Sequence, residues 1–261
     1  MTVAHCTTVS ATSLGLPGSC AIPEAKSVIP KQMFYMKPPV SARLKQRFVG
    51  DVESITMLAL LRPNTINVAT GKKTREILVM GIAQNCKDAP VEVMEHIAKL
   101  RSSSNILFVC VRDASLGKSE GKDGGNAQNG GAQGGSTQSG SSDLQCALAL
   151  QRILPVRAGH QGEAQTQTYV SKWQDPKTAS LSVTGETLDD VWRNLCAQVI
   201  FGDSDGTDLD ARLAKQSAIA ELTAQISKLE GDHARAKDGT KRNEIYVKLH
   251  KAKKQLEVLQ G

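Results

Sequence analysis

The chain has 261 residues, enough for one large domain or two small ones and for a sizeable buried core. Hydrophobic residues make up 40% and charged residues 22%, ordinary globular usage that excludes a fibrous or membrane-spanning chain, while aromatics at 3% leave few rings on which bases can stack. The 32 Lys and Arg exceed the 26 Asp and Glu by six, a balance that permits an acidic partner such as nucleic acid without indicating one.

Residues 1–28 are rich in Ser, Thr, Ala and Gly without periodicity, which predicts a loosely ordered arm that lays one short segment on the core. From Ile29 to Pro39 the prolines exclude helix and leave an extended or turning path. Ser41 then caps a surface helix from Ala42 to about Phe48, with Leu44 and Phe48 four apart and Arg43, Lys45, Gln46 and Arg47 on the other faces. Asp51–Leu61 fits helix or strand, and its β-branched residues with the Arg62-Pro63-Asn64 turn favour strand. Thr65–Val68 alternates, Gly71-Lys72-Lys73 makes a turn and Glu76–Ile82 is an apolar run, together a predicted hairpin. Pro90 opens a helix whose Val91, Met94, Ile97 and Ala98 share a face up to Leu100, and Asn105–Val111 is another apolar strand. Strand, helix and strand in succession imply a βαβ unit with parallel strands, so hairpin plus βαβ gives a mixed sheet.

Nine of the 22 glycines lie between Gly117 and Gly140, mixed with Ser, Asn and Gln, a composition that cannot bury a core. Residues 115–142 therefore read as a disordered insertion. Leu144–Leu154, Thr166–Trp173 and Ala179–Val183 supply further strands, and Thr187 caps a helix with Leu188, Val191, Trp192, Leu195 and Val199 on one face, ended by Gly202. Past the acidic turn Asp203–Asp210 the pattern changes to spacings of three and four, first Ile219, Leu222, Ile226, Leu229, His233 and Ala236, then Ile245, Leu249, Ala252, Leu256 and Leu259. The two runs are out of register across Asp238-Gly239-Thr240, which predicts two antiparallel helices, about Leu209–Lys237 and Lys241–Gln260, with facing seams. The fold class is α/β (α+β): an arm over 1–28, a single mixed-sheet domain with flanking helices over 29–202 interrupted at 115–142, and a C-terminal antiparallel helical hairpin, a coiled coil, over 207–261.

Six cysteines lack CxxC spacing and exclude a zinc framework; Cys110, Cys146 and Cys196, in apolar runs, read as reduced core residues. The first thirty residues have no secretion-signal pattern and no window approaches the ~20 apolar residues of a membrane helix, so the expected location is cytoplasmic. Gly117-Lys118-Ser119 follows a strand as a phosphate loop does, but Arg112 stands where its first glycine belongs. His96 is the one histidine with an acid four residues earlier, Glu92, which reads as a helix-surface pair, and His233 as a polar residue setting seam register. No catalytic, cofactor-binding or metal-binding residue is nominated. The seam residues Ile219, Leu222, Ile226, Leu229, Ile245, Leu249 and Leu256 are candidates for gripping a protein partner or a second copy. Lys31, Arg43, Lys45 and Arg47, with Lys248, Lys251 and Lys254, are candidates for nucleic-acid contact, although a solvated coiled-coil face accounts for the last three equally well.

The order Ile29-Pro30-Lys31 with Phe34-Tyr35, then Ser41-Ala42-Arg43-Leu44-Lys45, Val52-Glu53-Ser54-Ile55, Thr65-Ile66-Asn67 and Glu76-Ile77, resembles the bacterial domain-of-unknown-function family catalogued under number 4391, over about residues 15–260. Its most specific strings are IPK-x-x-FY and T-x-N, neither of them a catalytic signature. The resemblance implies an accessory protein encoded beside helicases and DNA methyltransferases of restriction-like phage-defence loci. With no active-site motif in view, the expected function is a non-catalytic adaptor in such a DNA-processing complex, needing no cofactor. Its partner would be a helicase, a DNA methyltransferase or a second copy, with DNA a further candidate and no membrane involved. The alternative is a divergent metal-dependent nuclease, for which Asp51 and Glu76 are the acids on offer, or a nucleic-acid-binding protein.

Overall fold

The computed structural model describes residues 9–37, 39–117, 144–153 and 166–260. They divide into two compact units, Met1–Gly206 and Thr207–Gly261.

In the first unit six strands lie side by side in chain order: β1 (Val28–Ile29), β2 (Val52–Leu61), β3 (Ile77–Gln84), β4 (Asn105–Asp113), β5 (Leu144–Ile153) and β6 (Thr166–Val170). β3 and β4 are parallel, from Ile77 opposite Asn105 to Ala83 opposite Val111, and every other pair is antiparallel. The expected mixed sheet is present, and the parallel pair is the one joined by the crossover helix α4 (Val91–Leu100) once three shorter helices, α1 (Gln32–Tyr35), α2 (Ala42–Gly50) and α3 (Pro63–Ile66), have preceded it.

All eight residues of β3 are buried, as a central strand covered on both faces requires, which is why its sequence is continuously apolar rather than alternating. On one face Leu78, Met80 and Ile82 join Ile106, Phe108 and Cys110 of β4, and Val93, Met94 and Ile97 of α4 close over them. Phe34 of α1 and Phe48 of α2 complete that core, their rings stacked at 6.3 Å. Strand alternation turns Val79, Val109 and Leu148 to the opposite face. There α5 (Leu188–Phe201) lies against β5 and β6, burying Leu188, Val191, Leu195 and Val199. Both expected N-caps form: Ser41 Oγ accepts the Leu44 N–H at 3.2 Å, and Thr187 shares a capping box with Asp190. Gly202, at φ 79°, ends α5 in the left-handed conformation that glycine adopts without strain.

Three segments differ from expectation. Thr65–Val68 is not a hairpin strand: Pro63 opens the single turn α3, Thr65 Oγ1 accepts the Arg62 N–H at 2.8 Å, and Asn67 leaves it at φ 54°. The antiparallel partner of β3 is β2, running from Val52 opposite Gln84 to Leu61 opposite Ile77. A four-residue alternation was too short to outweigh a proline at the first helical position. Between the prolines at 30 and 39, where no helix was expected, Gln32–Tyr35 forms one helical turn. Ala179–Val183 joins no strand ladder; Leu181 donates to Leu14 O at 2.8 Å, and Ser182 exchanges two bonds with the Gln198 amide of α5, 2.8 and 2.9 Å, a side chain doing the work of a neighbouring strand. Within the Ser/Thr-rich arm, Val9, Leu14, Leu16 and Cys20 are buried, so residues 9–27 pack more closely than their composition suggests. Cys110, Cys146 and Cys196 are buried and form no disulfide among the described residues, in keeping with a place in the core. Residues 118–143, most of the Gly-rich insertion, lie outside the described residues.

The second unit consists of α6 (Leu209–Arg235) and α7 (Gly239–Gln260), packed on each other as a hairpin. Among the described residues no helix is long and apolar enough to cross a membrane.

Candidate interaction surfaces

In the hairpin unit, three contacts fix the antiparallel register. Glu230 meets Lys253 at 2.8 Å, the rings of His233 and Tyr246 are 6.2 Å apart, and Arg242 Nη2 donates to Ala236 O at 2.8 Å. The break falls where Asp238-Gly239-Thr240 was read to place it: the Asp238 carboxylate accepts the N–H groups of Thr240 and Lys241 at 2.7 and 3.2 Å and caps α7. The structure brings the nominated seam residues together. Ile226 and Ala252 are buried, and Ile219, Leu222, Leu229, Ile245, Leu249 and Leu256 are half-buried, as a two-helix seam leaves them. Their apolar surface joins α6 to α7, and on the outer side of α7 Val247 and Val258 stand exposed eleven residues apart.

The basic candidates fall into two groups with different electrostatics. Arg43 lies 2.6 Å from Glu92, and Arg47 lies 2.8 Å from Asp51, so both guanidinium groups are balanced by carboxylates. Lys31 Nζ donates to the carbonyls of Val52 at 2.6 Å and Val49 at 3.4 Å, closing the end of α2 rather than facing solvent. Lys45 is exposed on α2. Lys248, Lys251 and Lys254 are exposed on α7.

Asp51 and Glu76 do not form a site. They flank opposite ends of the β2–β3 ladder, whose nine residue steps span about 30 Å. Glu76 is bonded to Ser104 Oγ at 2.7 Å and to Arg62 at 2.6 and 3.0 Å. These hydrogen bonds hold its carboxyl below the ordinary range. Among the described residues no three His, Cys, Asp or Glu side chains converge as metal ligands. A cleft of about 340 Å³ opens beside the first turn of α4, lined by Arg47, Asp51, Cys86, Asp88 and Glu92. Burial, with Asp51 adding to it, pushes the Cys86 thiol up to about 11, so it stays protonated and is no nucleophile at neutral pH. His96 does not pair with Glu92; its Nε2 lies 2.7 Å from Phe34 O and its ring meets Phe48 edge-on.

Over residues 14–256 the chain matches the family model described as Domain of unknown function (DUF4391). The chain belongs to this family. No curated protein and no solved structure matches it.

Two side chains of this family member escaped sequence reading. The Asp189 carboxylate, in the first turn of α5, accepts the backbone N–H groups of Lys72 at 2.6 Å, Thr74 at 2.7 Å and Lys73 at 3.2 Å. Burial works to raise its pKa, and the three N–H bonds outweigh it, so the carboxyl is held below the ordinary range. A Cβ at Gly71 would sit 2.6 Å from Asp189 Oδ1, which is why the turn needs glycine there. Arg112, 6% exposed, stacks 3.9 Å over the Trp173 ring, donates to Lys87 O, and bonds Gln145 Oε1 at 2.8 Å across the β4–β5 ladder. Nothing in the sequence marks either residue, because each acts on partners tens of positions away.

Proposed function

We propose that this chain is a non-catalytic accessory protein that acts by protein contacts in a bacterial DNA-processing complex of the restriction or phage-defence kind, in the cytoplasm. The outer faces of the α6–α7 hairpin meet a partner, a helicase or DNA methyltransferase being the class the family resemblance implies. The observation that carries this reading is that residues 207–261 form a compact unit of their own whose apolar seam closes internally. Such a unit presents two rigid helical faces at little ordering cost on binding. The distance between Asp51 and Glu76, and the engagement of Glu76 by Arg62 and Ser104, weigh against the nuclease reading.

The test is affinity purification of the tagged full-length protein from its native host beside a chain ending at Gly206, with mass spectrometry of the captured proteins. A helicase or methyltransferase retained by the full-length protein and lost by the truncated one is the expected result. Equal retention by both removes the role given to the hairpin, provided that circular dichroism shows the truncated chain folded.

A further inference from the structure

One stretch of the hairpin is strongly basic: residues 235–254 hold eight Lys and Arg against two Asp and Glu, within a unit, residues 207–261, that carries eleven against eight. Two of the eight have carboxylates beside them: Arg235 lies 2.9 Å from Asp232, and Lys253 lies 2.8 Å from Glu230. Lys237, Lys241, Arg242, Lys248, Lys251 and Lys254 are exposed, and none of them has a carboxylate within ion-pair distance among the described residues. Of the two acids, Asp238 is turned onto the first N–H groups of α7. The contrast with Arg43 and Arg47, each held against a carboxylate, is direct.

The same helix carries an aromatic series. Tyr246 is 54% exposed, and the rings of His233 and His250 lie 6.2 and 6.4 Å from its own. An open groove of about 610 Å³ runs past it at the turn of the hairpin, lined by His233, Arg242, Asn243 and Tyr246. Unpaired cations alone attract any polyanion. An accessible ring on the same helix adds a flat surface on which a base can stack. A membrane-surface helix needs a wide apolar face, whereas α7 exposes Tyr246, Val247 and Val258 among lysines. Lysine, a flexible point charge, suits a single strand whose phosphates hold no fixed geometry.

We propose that α7 and the turn before it bind single-stranded nucleic acid, the six cations without a carboxylate partner contacting phosphates and Tyr246 stacking on an unpaired base. This goes beyond the protein-contact reading and stands or falls without it, because the test contains no partner protein.

The test is fluorescence anisotropy of the full-length protein with labelled oligo-dT, oligo-U and a DNA duplex of equal length, over a salt series. Both single strands bind more tightly than the duplex, and six phosphate contacts give a slope of about −4 for log affinity against log salt. Lys248→Gln, Lys251→Gln and Lys254→Gln together halve that slope and weaken binding at least about tenfold. Tyr246→Ala weakens single-strand binding about tenfold and leaves the salt slope unchanged. Lys26→Gln, Lys37→Gln and Lys45→Gln together, all exposed in the first unit, change nothing. Lys237→Gln with Lys241→Gln is an independent second variant should the triple one lose helicity. Absence of salt-dependent binding overturns the proposal. So does an equal loss in the first-unit variant, a preference for phosphatidylserine vesicles over strand, or equal strand and duplex binding with Tyr246→Ala silent.

Discussion

The two units of this protein are held together by different amounts of buried surface, and that difference separates what each is suited to do. The sheet of the first unit is covered on both faces, so Phe108 and Ile82 are fully buried among neighbours from three layers. The hairpin has one seam between two helices, and most of its apolar residues remain half in solvent. A three-layer core fixes a shape; a single seam leaves most of each helix surface free for contact. Some charges of the first unit are engaged inside it, Asp189 with the amides of residues 72–74, Glu76 with Arg62 and Ser104, and Arg112 with Trp173 and Gln145. On and beside α7, six cations have no acidic partner among the described residues, and in the first unit exposed lysines such as Lys26, Lys37 and Lys45 have none either.

Four substitutions sharpen or break this comparison, and the two tryptophans make them readable. Trp173 and Trp192 both lie in the first unit, so their fluorescence follows that unit while far-ultraviolet circular dichroism follows both. The largest effect is expected for Phe108→Ala, which empties a fully enclosed site and costs about 3–5 kcal/mol in urea unfolding followed by fluorescence. Leu249→Ala removes a half-buried seam residue and costs about 1–2 kcal/mol, visible as early loss of helical signal with the tryptophan transition unmoved. If both probes shift together, the two units do not unfold independently.

Asp189→Ala is expected next, at about 1 kcal/mol, because the three N–H groups of residues 72–74 lose their acceptor but keep access to water. Its sign with pH follows from a folded pKa below the unfolded value near 4. The stabilisation is fully present above pH ~4 and is lost as pH falls through the lower folded value. The gap between native protein and variant should therefore close in acid, and a gap that widens there would refute the bonding scheme. The smallest effect belongs to Arg43→Ala, which breaks an ion pair whose side chains are 75% and 43% exposed; melting curves should register less than about 0.5 kcal/mol.

Much of this fold was legible before the coordinates because the signals were local and repeated. Ser41 and Thr187 cap the helices they were expected to cap, Val91–Leu100 and Leu188–Phe201 end where their apolar faces end, and the phase break across Asp238–Thr240 gives two helices. Where the signal was short, geometry prevailed: Thr65–Val68 alternates over four residues, and Pro63 with the Thr65 hydroxyl turned it into helix instead. Ala179–Val183 has strand composition but reaches Gln198 and Leu14 before it reaches a strand edge. The interaction surfaces were half legible. The seam residues could be read from their spacing, and the basic residues from composition.

Periodicity and capping depend on neighbours a few positions away, so the sequence by itself determined where most strands and helices lie, which faces are apolar, and that a βαβ unit precedes a helical hairpin. Which charges are spent and which remain free depends on partners brought together from distant parts of the chain. Only the tertiary structure decided that Arg43 and Arg47 are neutralised by Glu92 and Asp51, that Asp51 and Glu76 stand at opposite ends of one ladder, and that the seam closes on itself. Charge pairing acts over a few ångströms of space and has no fixed spacing along the sequence.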